Sequence, residues 1–333
     1  MIGGRKPLGA LVSGLRGRVV EGADWGSVIA LANHTLLTPT LFAALDESGK
    51  IEELPAEARA YLRFIHDCNR TRNIRLRAQL DEVVTELNRC GIVPLLLKGA
   101  VPLFLAESGT MPSRMTSDLD LGVKPSEEHP AVACVADRGY VALAGARGMS
   151  RAGDVGILEL RPVSSTGPDL PEVVEREGRR VAIPHVRARA THWIMHDLLK
   201  EGDYWRGRID LRHLYDLAHL AETEGLQWAG LRASMPDQLS RDALDVQLLA
   251  LQHFFEVDIP IECKQRLNVR LRHWRRVFTA EYPLAGGALR LSGSLAWGVR
   301  RLSRQEGRDW RDLPDLSRRI LRVLLGKDLR SKI

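Results

Sequence analysis

The sequence predicts an α+β fold, with a small mixed β-sheet core between an N-terminal helical region and a largely helical C-terminal region. Three observations carry that prediction. From about Asp24 to Arg89, apolar residues recur every three or four positions, which is the helical period. Between about 92 and 163 the pattern changes to short apolar runs and two-residue alternation, the mark of strands. From about Arg187 the helical period returns and persists to the end. The expected regions are therefore 1–91 (helical), 92–186 (the α/β core) and 187–333 (helical, with a basic tail).

Each element has its own signal. "EARAYLRFIHDCNRTRNIRLRAQLDEVVTELNRCG" repeats apolar residues at helical spacing and closes on Gly91, a good C-terminal stop. "IVPLLLK" is an apolar run of strand length, and "GAVPLFLAESG" predicts a short helix opening at the glycine with Pro102 in its first turn. "SDLDLGV" alternates and predicts a strand. "PSEEHPAVACVADRGY" predicts a helix opened by Pro125 and Ser126 and closed near Gly139, and "YVALAG" and "GDVGILELRPV" predict two further strands. Residues 164–180, rich in Pro, Gly, Ser and charge, read as a loop or linker. No internal repeat is evident.

At 333 residues, 44% apolar and 27% charged, the chain has an ordinary globular composition and room for two domains. No apolar stretch approaches the roughly 20 residues needed to span a bilayer, and the N-terminus has no continuous apolar core of a secretory signal. A cytoplasmic protein is expected. Cys68, Cys90, Cys134 and Cys263 lie far apart with no C-x-x-C pair, which argues against a disulfide scaffold and a zinc ribbon and for small buried thiols in a reducing compartment. The net charge of +6 hides an asymmetry, since residues 264–333 hold 18 Lys/Arg against 6 Asp/Glu. Such a basic tail suits nucleic acid, anionic lipid, an acidic protein or a solvated helical surface.

The chemistry concentrates in two segments, "LLLKGAVPLF" and "RMTSDLDLGV". In a strand, residues i and i+2 face one side, so Asp118 and Asp120 project together while Leu119, Leu121 and Val123 face the opposite layer. Two such carboxylates repel unless a cation neutralises them. Oxygen-only ligands suit Mg²⁺ or Mn²⁺, and magnesium held by few carboxylates completes its shell with water and substrate phosphate. Lys98-Gly99-Ala100 fits a phosphate-bearing substrate: a glycine between strand and helix lets backbone N–H groups approach an anion. The spacing is not that of a Walker A loop.

At "LLLKGA" and "PSRMTSDLDLGV" the chain resembles the polymerase-β-like nucleotidyltransferase superfamily, and is most similar to the uncharacterised bacterial nucleotidyltransferase-like family with L-K-G and R-x-x-S-D-x-D motifs. The resemblance covers roughly 30–225, including "VAIPHVRARATHWIMHDLLKEGDYWRGRIDLRHLYDLAHL", and its specific part is about 30 residues. It implies a nucleotidyltransferase core in which Asp118 and Asp120 hold metal beside an NTP such as ATP. Gly99 and Ala100 then lie against the phosphates, Ser117 of the motif is substrate-binding, and Lys98 or Arg114 adds positive charge. A third metal-binding and catalytic carboxylate is expected on a neighbouring strand; Glu159 in "GILELRP" is the first choice and Asp154 the second. The chain departs from the pattern at Ala100, where active members commonly carry serine or glycine, and after Glu159, where "LR" stands in place of a frequent histidine.

Other candidates have structural alternatives. His192 and His196 are four apart on an expected helix and can share a metal, yet Trp193 and Ile194 between them suggest a packed helix. Asp216 can pair with Arg212 one turn earlier or face a site, and Arg114 can pair with Asp118 or contact phosphate. The function these observations imply is metal-dependent transfer of a nucleoside monophosphate from an NTP to the hydroxyl of an unknown acceptor (small molecule, peptide or protein, or nucleic acid). The alternatives are a catalytically weakened binding protein of the same fold and a nucleic-acid binder acting through residues 264–333.

Overall fold

The computed structural model describes residues 6–107, 109–144, 148–164, 169–282 and 286–303. The last thirty residues of the basic tail, 304–333, lie outside the described residues. The chain forms two compact units, one of residues 37–189 and one of residues 1–36 with 190–333.

Helices α1 (Pro7–Leu15) and α2 (Trp25–His34) belong to the second of these units. The unit of 37–189 opens with α3 (Thr38–Glu47) and the 34-residue α4 (Ala56–Arg89). α4 stops where its sequence signal stands. Gly91 takes φ +76°, Gly91 N–H donates to Asn88 O and Ile92 N–H to Leu87 O. This is the glycine-closed termination that satisfies the last carbonyls of a helix.

Strand β1 (Leu95–Leu96), α5 (Ala100–Leu105), β2 (Asp118–Val123), α6 (Glu128–Ala136), β3 (Val141–Ala142), β4 (Met149–Ser150) and β5 (Ile157–Pro162) follow. The stretch expected to be a loop instead holds a hairpin, β6 (Glu172–Arg176) and β7 (Arg179–Ile183). Its turn is Glu177-Gly178, both at positive φ, the twist that two-residue hairpins require. The β-branched Val173, Val174, Val181 and Ile183 that flank the turn favour strands despite the polar composition.

The seven strands form one sheet in the order β3-β4-β5-β2-β1-β7-β6. The β2–β5 and β1–β7 pairs are parallel and the rest antiparallel. Leu119, Leu121 and Val123 of β2 pack with Leu76, Leu80, Val84 and Leu87 of α4, and with Leu103 and Phe104 of α5, in the core of this unit. Cys90 and Cys134 correct the expectation of free thiols, for they form a disulfide joining the end of α4 to α6. Forty-four residues separate them, and only the packing of α6 against α4 brings them together, so the spacing was silent.

The helical unit continues through α7 (Val186–Met195), a π-turn over His196–Lys200, α8 (Asp203–Arg206), α9 (Leu211–Glu224), α10 (Trp228–Ala233), α11 (Gln238–Phe255), α12 (Leu267–Glu281) and α13 (Gly287–Ser303). Asp210 and Asp237 cap α9 and α11 by accepting from His213 N–H and Ser240 N–H. Arg276 of α12 is fully buried and donates to Arg208 O and Gln247 Oε1. Among the described residues no helix is long and apolar enough to cross a membrane.

Candidate functional site

Alternation along β2 divides its side chains as the sequence predicts. Leu119 and Leu121 are fully buried on the α4 side, and the acids take the other face. The parallel register with β5 sets Asp118 opposite Ile157 and Asp120 opposite Glu159. Asp120 and Glu159 are thus direct neighbours across two strands, with Asp118 two residues before Asp120. Asp154 goes elsewhere: Arg151 donates to both of its oxygens, at 3.0 and 3.1 Å, and also holds Glu82.

The turn after β1 is fastened beside these acids. Leu97 N–H donates to Asp120 O at 3.1 Å, so β1 pairing continues to the edge of the turn. Lys98 then takes φ +49°, a left-handed conformation that costs a non-glycine residue roughly 1 kcal/mol. That geometry brings Lys98 Nζ to 2.8 Å from Asp120 Oδ2. Gly99 is required by space: a Cβ there would stand 2.8 Å from both Thr116 Cγ2 and Oγ1 and 3.1 Å from an Arg114 nitrogen. Ala100 begins α5, is fully buried in the apolar core, and gives its N–H to Leu97 O. Its side chain therefore answers to core packing. Arg114 reaches Met115 O as well as the neighbourhood of Gly99, and Ser117 Oγ donates to Asp118 Oδ1 at 3.1 Å.

Arg161, the arginine of the "LR" that follows Glu159, joins these acids. Two residues after Glu159 on β5, it shares that residue's face and donates to Glu159 Oε2 at 3.1 Å from Nε. It also approaches Asp120 Oδ1 to 3.0 Å. Burial works against the guanidinium charge, but Glu159, Asp120 and Asp118 outweigh it and hold its pKa above the usual arginine value. The i, i+2 spacing of Glu159 and Arg161 was a signal that could have been read.

A row of polar residues on α4 holds the loops that present the acids. Asn69 Nδ2 donates to Ser113 O, Asn73 Nδ2 to Pro112 O and Arg114 O, and Arg72 to Thr116 O, Ser117 O and Val155 O. Gln79 exchanges two hydrogen bonds with the backbone of Gly156. Buried polar groups need partners, and these four residues reach from α4 to the loops before β2 and β5.

The donors suit a hard divalent cation. Asp118, Asp120 and Glu159 offer oxygen only, the preference of Mg²⁺ or Mn²⁺. Asp120 is 2% exposed, yet its Oδ1 accepts no hydrogen bond of good geometry, and neither does the nearby buried Thr116 Oγ1. Arg161 balances the charge of that Oδ1 from 3.0 Å without a well-aligned hydrogen bond, so the carboxylate keeps acceptor capacity that a bound cation would use.

A second polar group lies in the helical unit. Among the described residues, Asp197, Asp210 and His213 form the trio of metal-ligating types whose donor atoms lie within 4.8 Å of one another. His213 Nδ1 is 2.8 Å from Asp197 Oδ2 and 3.6 Å from Asp210 Oδ2. Burial disfavours the imidazolium, but Asp210 and Asp197 overcome it and hold His213 above the ordinary histidine pKa. The trio thus reads first as a charged histidine between two carboxylates. His192 and His196 stack with ring centroids 5.8 Å apart, and His196 Nδ1 lies 3.4 Å from Asp197 Oδ1. Arg212 and Asp216 sit one turn apart on α9.

No curated protein and no solved structure matches the chain. A family model does match, over residues 21–256, which includes the β2 acids, the turn after β1 and the α4 row. By that match the chain belongs to the uncharacterised nucleotidyltransferase family.

Proposed function

We propose that the protein transfers a nucleoside monophosphate from an NTP, such as ATP, to the hydroxyl of an acceptor, with Mg²⁺ or Mn²⁺ at the β2 acids. The supporting observation is the register pair of Asp120 and Glu159, with Asp118 on the same strand as Asp120 and the Lys98-Gly99 turn bonded alongside. Asp118, Asp120 and Glu159 are the catalytic carboxylates in this reading, and Asp118 and Asp120 hold the ion. When bound, the ion supplies charge neutralisation at the triphosphate and at departing pyrophosphate. Lys98 offers a point charge that an arriving phosphate draws from Asp120. Gly99 lets Thr116 and Arg114 pack against the turn, Arg114 and Ser117 line the phosphate approach, and Ala100 anchors the turn in the core. The cytoplasm, where NTPs and magnesium are plentiful, is the compartment that supplies this reaction.

The rival reading through the basic tail draws less support from the described part of that region. Arg272, Arg275, Arg276 and Arg290 all donate to backbone carbonyls of their own unit and are spent on packing. The proposal is tested by following thermal stability while titrating each NTP with Mg²⁺. A shift for the wild type that Asp118→Asn abolishes supports it; no shift for any NTP sinks it. Incubation with labelled NTPs and cell extract then identifies the acceptor as the species that takes up label.

A further inference from the structure

Three carboxylates share one side of β2 and β5, and two of them already hold cations. Asp120 has Lys98 Nζ 2.8 Å from Oδ2 and Arg161 3.0 Å from Oδ1. Arg161 also donates to Glu159 Oε2 from Nε at 3.1 Å and from a terminal nitrogen. The guanidinium therefore joins the two carboxylates that the sheet register sets side by side. An arginine is charged at every physiological pH and presents a planar fork suited to carboxylates. A divalent ion bridging Asp120 and Glu159 would approach oxygens now met by that fork, at about 2.1 Å from each. The guanidinium and such an ion exclude one another.

We infer that Arg161 takes the place of a second divalent ion, so that the carboxylate set of this chain accepts one dication, at Asp118 and Asp120, and is closed to metal between Asp120 and Glu159. The inference rests on reading these acids as a metal site. Charge points the same way. Asp118, Asp120 and Glu159 against Lys98 and Arg161 leave a single net negative charge, which one divalent ion already reverses. A second ion would be added against two fixed cations in a partly buried setting, where like charges weigh heavily. Phosphoryl-transfer sites with two ions hold them about 3.5–4 Å apart, one on each side of the reacting phosphorus. A guanidinium supplies half the charge of such an ion and no open coordination position. The acceptor hydroxyl in this chain therefore gains no activation by coordination on the Glu159 side.

The test is a Mn²⁺ titration of the full chain, with free ion followed by electron paramagnetic resonance, with and without a non-hydrolysable ATP analogue. The wild type is expected to bind one Mn²⁺. Arg161→Ala is expected to bind two, the second at least tenfold more tightly than any second ion on the wild type. Arg161→Lys keeps the positive charge and should keep the wild-type count. Thermal melts establish that each variant is folded, and Arg161→Gln replaces the alanine variant if that one is not. Two tight ions on the wild type overturn the inference. So does an unchanged count and affinity in Arg161→Ala, including no ion on either protein. A fluorescent ATP that binds none of the proteins would sink the nucleotidyl-transfer reading alone, since a Mn²⁺ site gained on removing Arg161 would still uphold the role of that residue.

Discussion

Asp120 is where the chemistry and the stability of the site meet. Its carboxylate is buried between Lys98 and Arg161, so removing its charge leaves two cations facing a neutral amide. Breaking a buried pair in this way costs about 3–5 kcal/mol when the partners stay buried. Lys98 and Arg161 are each about a third exposed, which reduces the penalty to roughly 1–2 kcal/mol. Asp120→Asn should therefore remain folded, melt a few degrees lower, and lose label transfer by ~10²-fold or more, the scale of losing one charge-stabilising group. A variant that keeps full transfer with a lowered melting temperature would make Asp120 a structural acid only. Gly99→Ala tests the neighbouring turn by space alone. The added methyl would stand 2.8 Å from two Thr116 atoms, an overpacking that costs about 1–3 kcal/mol. It should also weaken NTP binding, measured by fluorescent-nucleotide titration, because the turn must shift to admit it.

At the scale of elements, α4 is a positioning device as much as a core helix. Asn73 is fully buried and is bonded to Pro112 O and Arg114 O, so Asn73→Leu would leave both carbonyls without that partner, at about 1–3 kcal/mol each where water cannot replace it. Denaturant melts should register that loss, and NTP affinity should fall with it although Asn73 lies outside the proposed substrate contacts. The Cys90–Cys134 disulfide closes a 44-residue separation, and chain entropy sets an upper contribution of about 4 kcal/mol. Thermal melts with and without dithiol should therefore differ for the wild type and coincide for Cys134→Ser. These two features mark the limit of what the sequence discloses. Local pattern suffices for β2, α4 with its Gly91 stop, and the facing of Asp118 and Asp120, because each depends on period and on nearby residues. The side-by-side placement of Asp120 and Glu159 needs sheet order, which the family resemblance supplied and periodicity alone could not. The Asn69–Gln79 row, the disulfide and the Arg161 bridge depend on which segments meet in space. The β6–β7 hairpin is a different case, because Glu177-Gly178 and the flanking β-branched residues are local signals, set within the polar composition of 164–180.

For the molecule as a whole, the two units should answer differently to pH, since the histidines with displaced titrations belong to the helical one. His213 is faced by Asp197, Asp210, Arg212 and the ring of Trp193, and the two acids keep it protonated above the ordinary histidine range. A raised folded pKa gives stability that is complete below about 6.5 and is lost as pH rises through the folded value. His273 is displaced in the opposite sense. Burial, with Arg276 and His253 nearby, pushes it down to about 3, so it folds as the neutral base. Below about 6.5 the unfolded chain takes up a proton that the folded chain refuses, and stability falls as pH drops toward 3. His253, lowered chiefly by its own burial, adds to the acid limb. The two limbs place the stability maximum of the helical unit near pH 6.5. Melting temperature against pH from 4 to 9 should show that maximum. His213→Asn should flatten the alkaline limb and leave the acid one, while His273→Phe should do the reverse. The slopes report the titrations even where a substitution lowers the whole curve, so an alkaline slope unchanged in His213→Asn would mean that His213 is neutral in the fold and that Asp197 and Asp210 are balanced by Arg276 and the capped helix end instead.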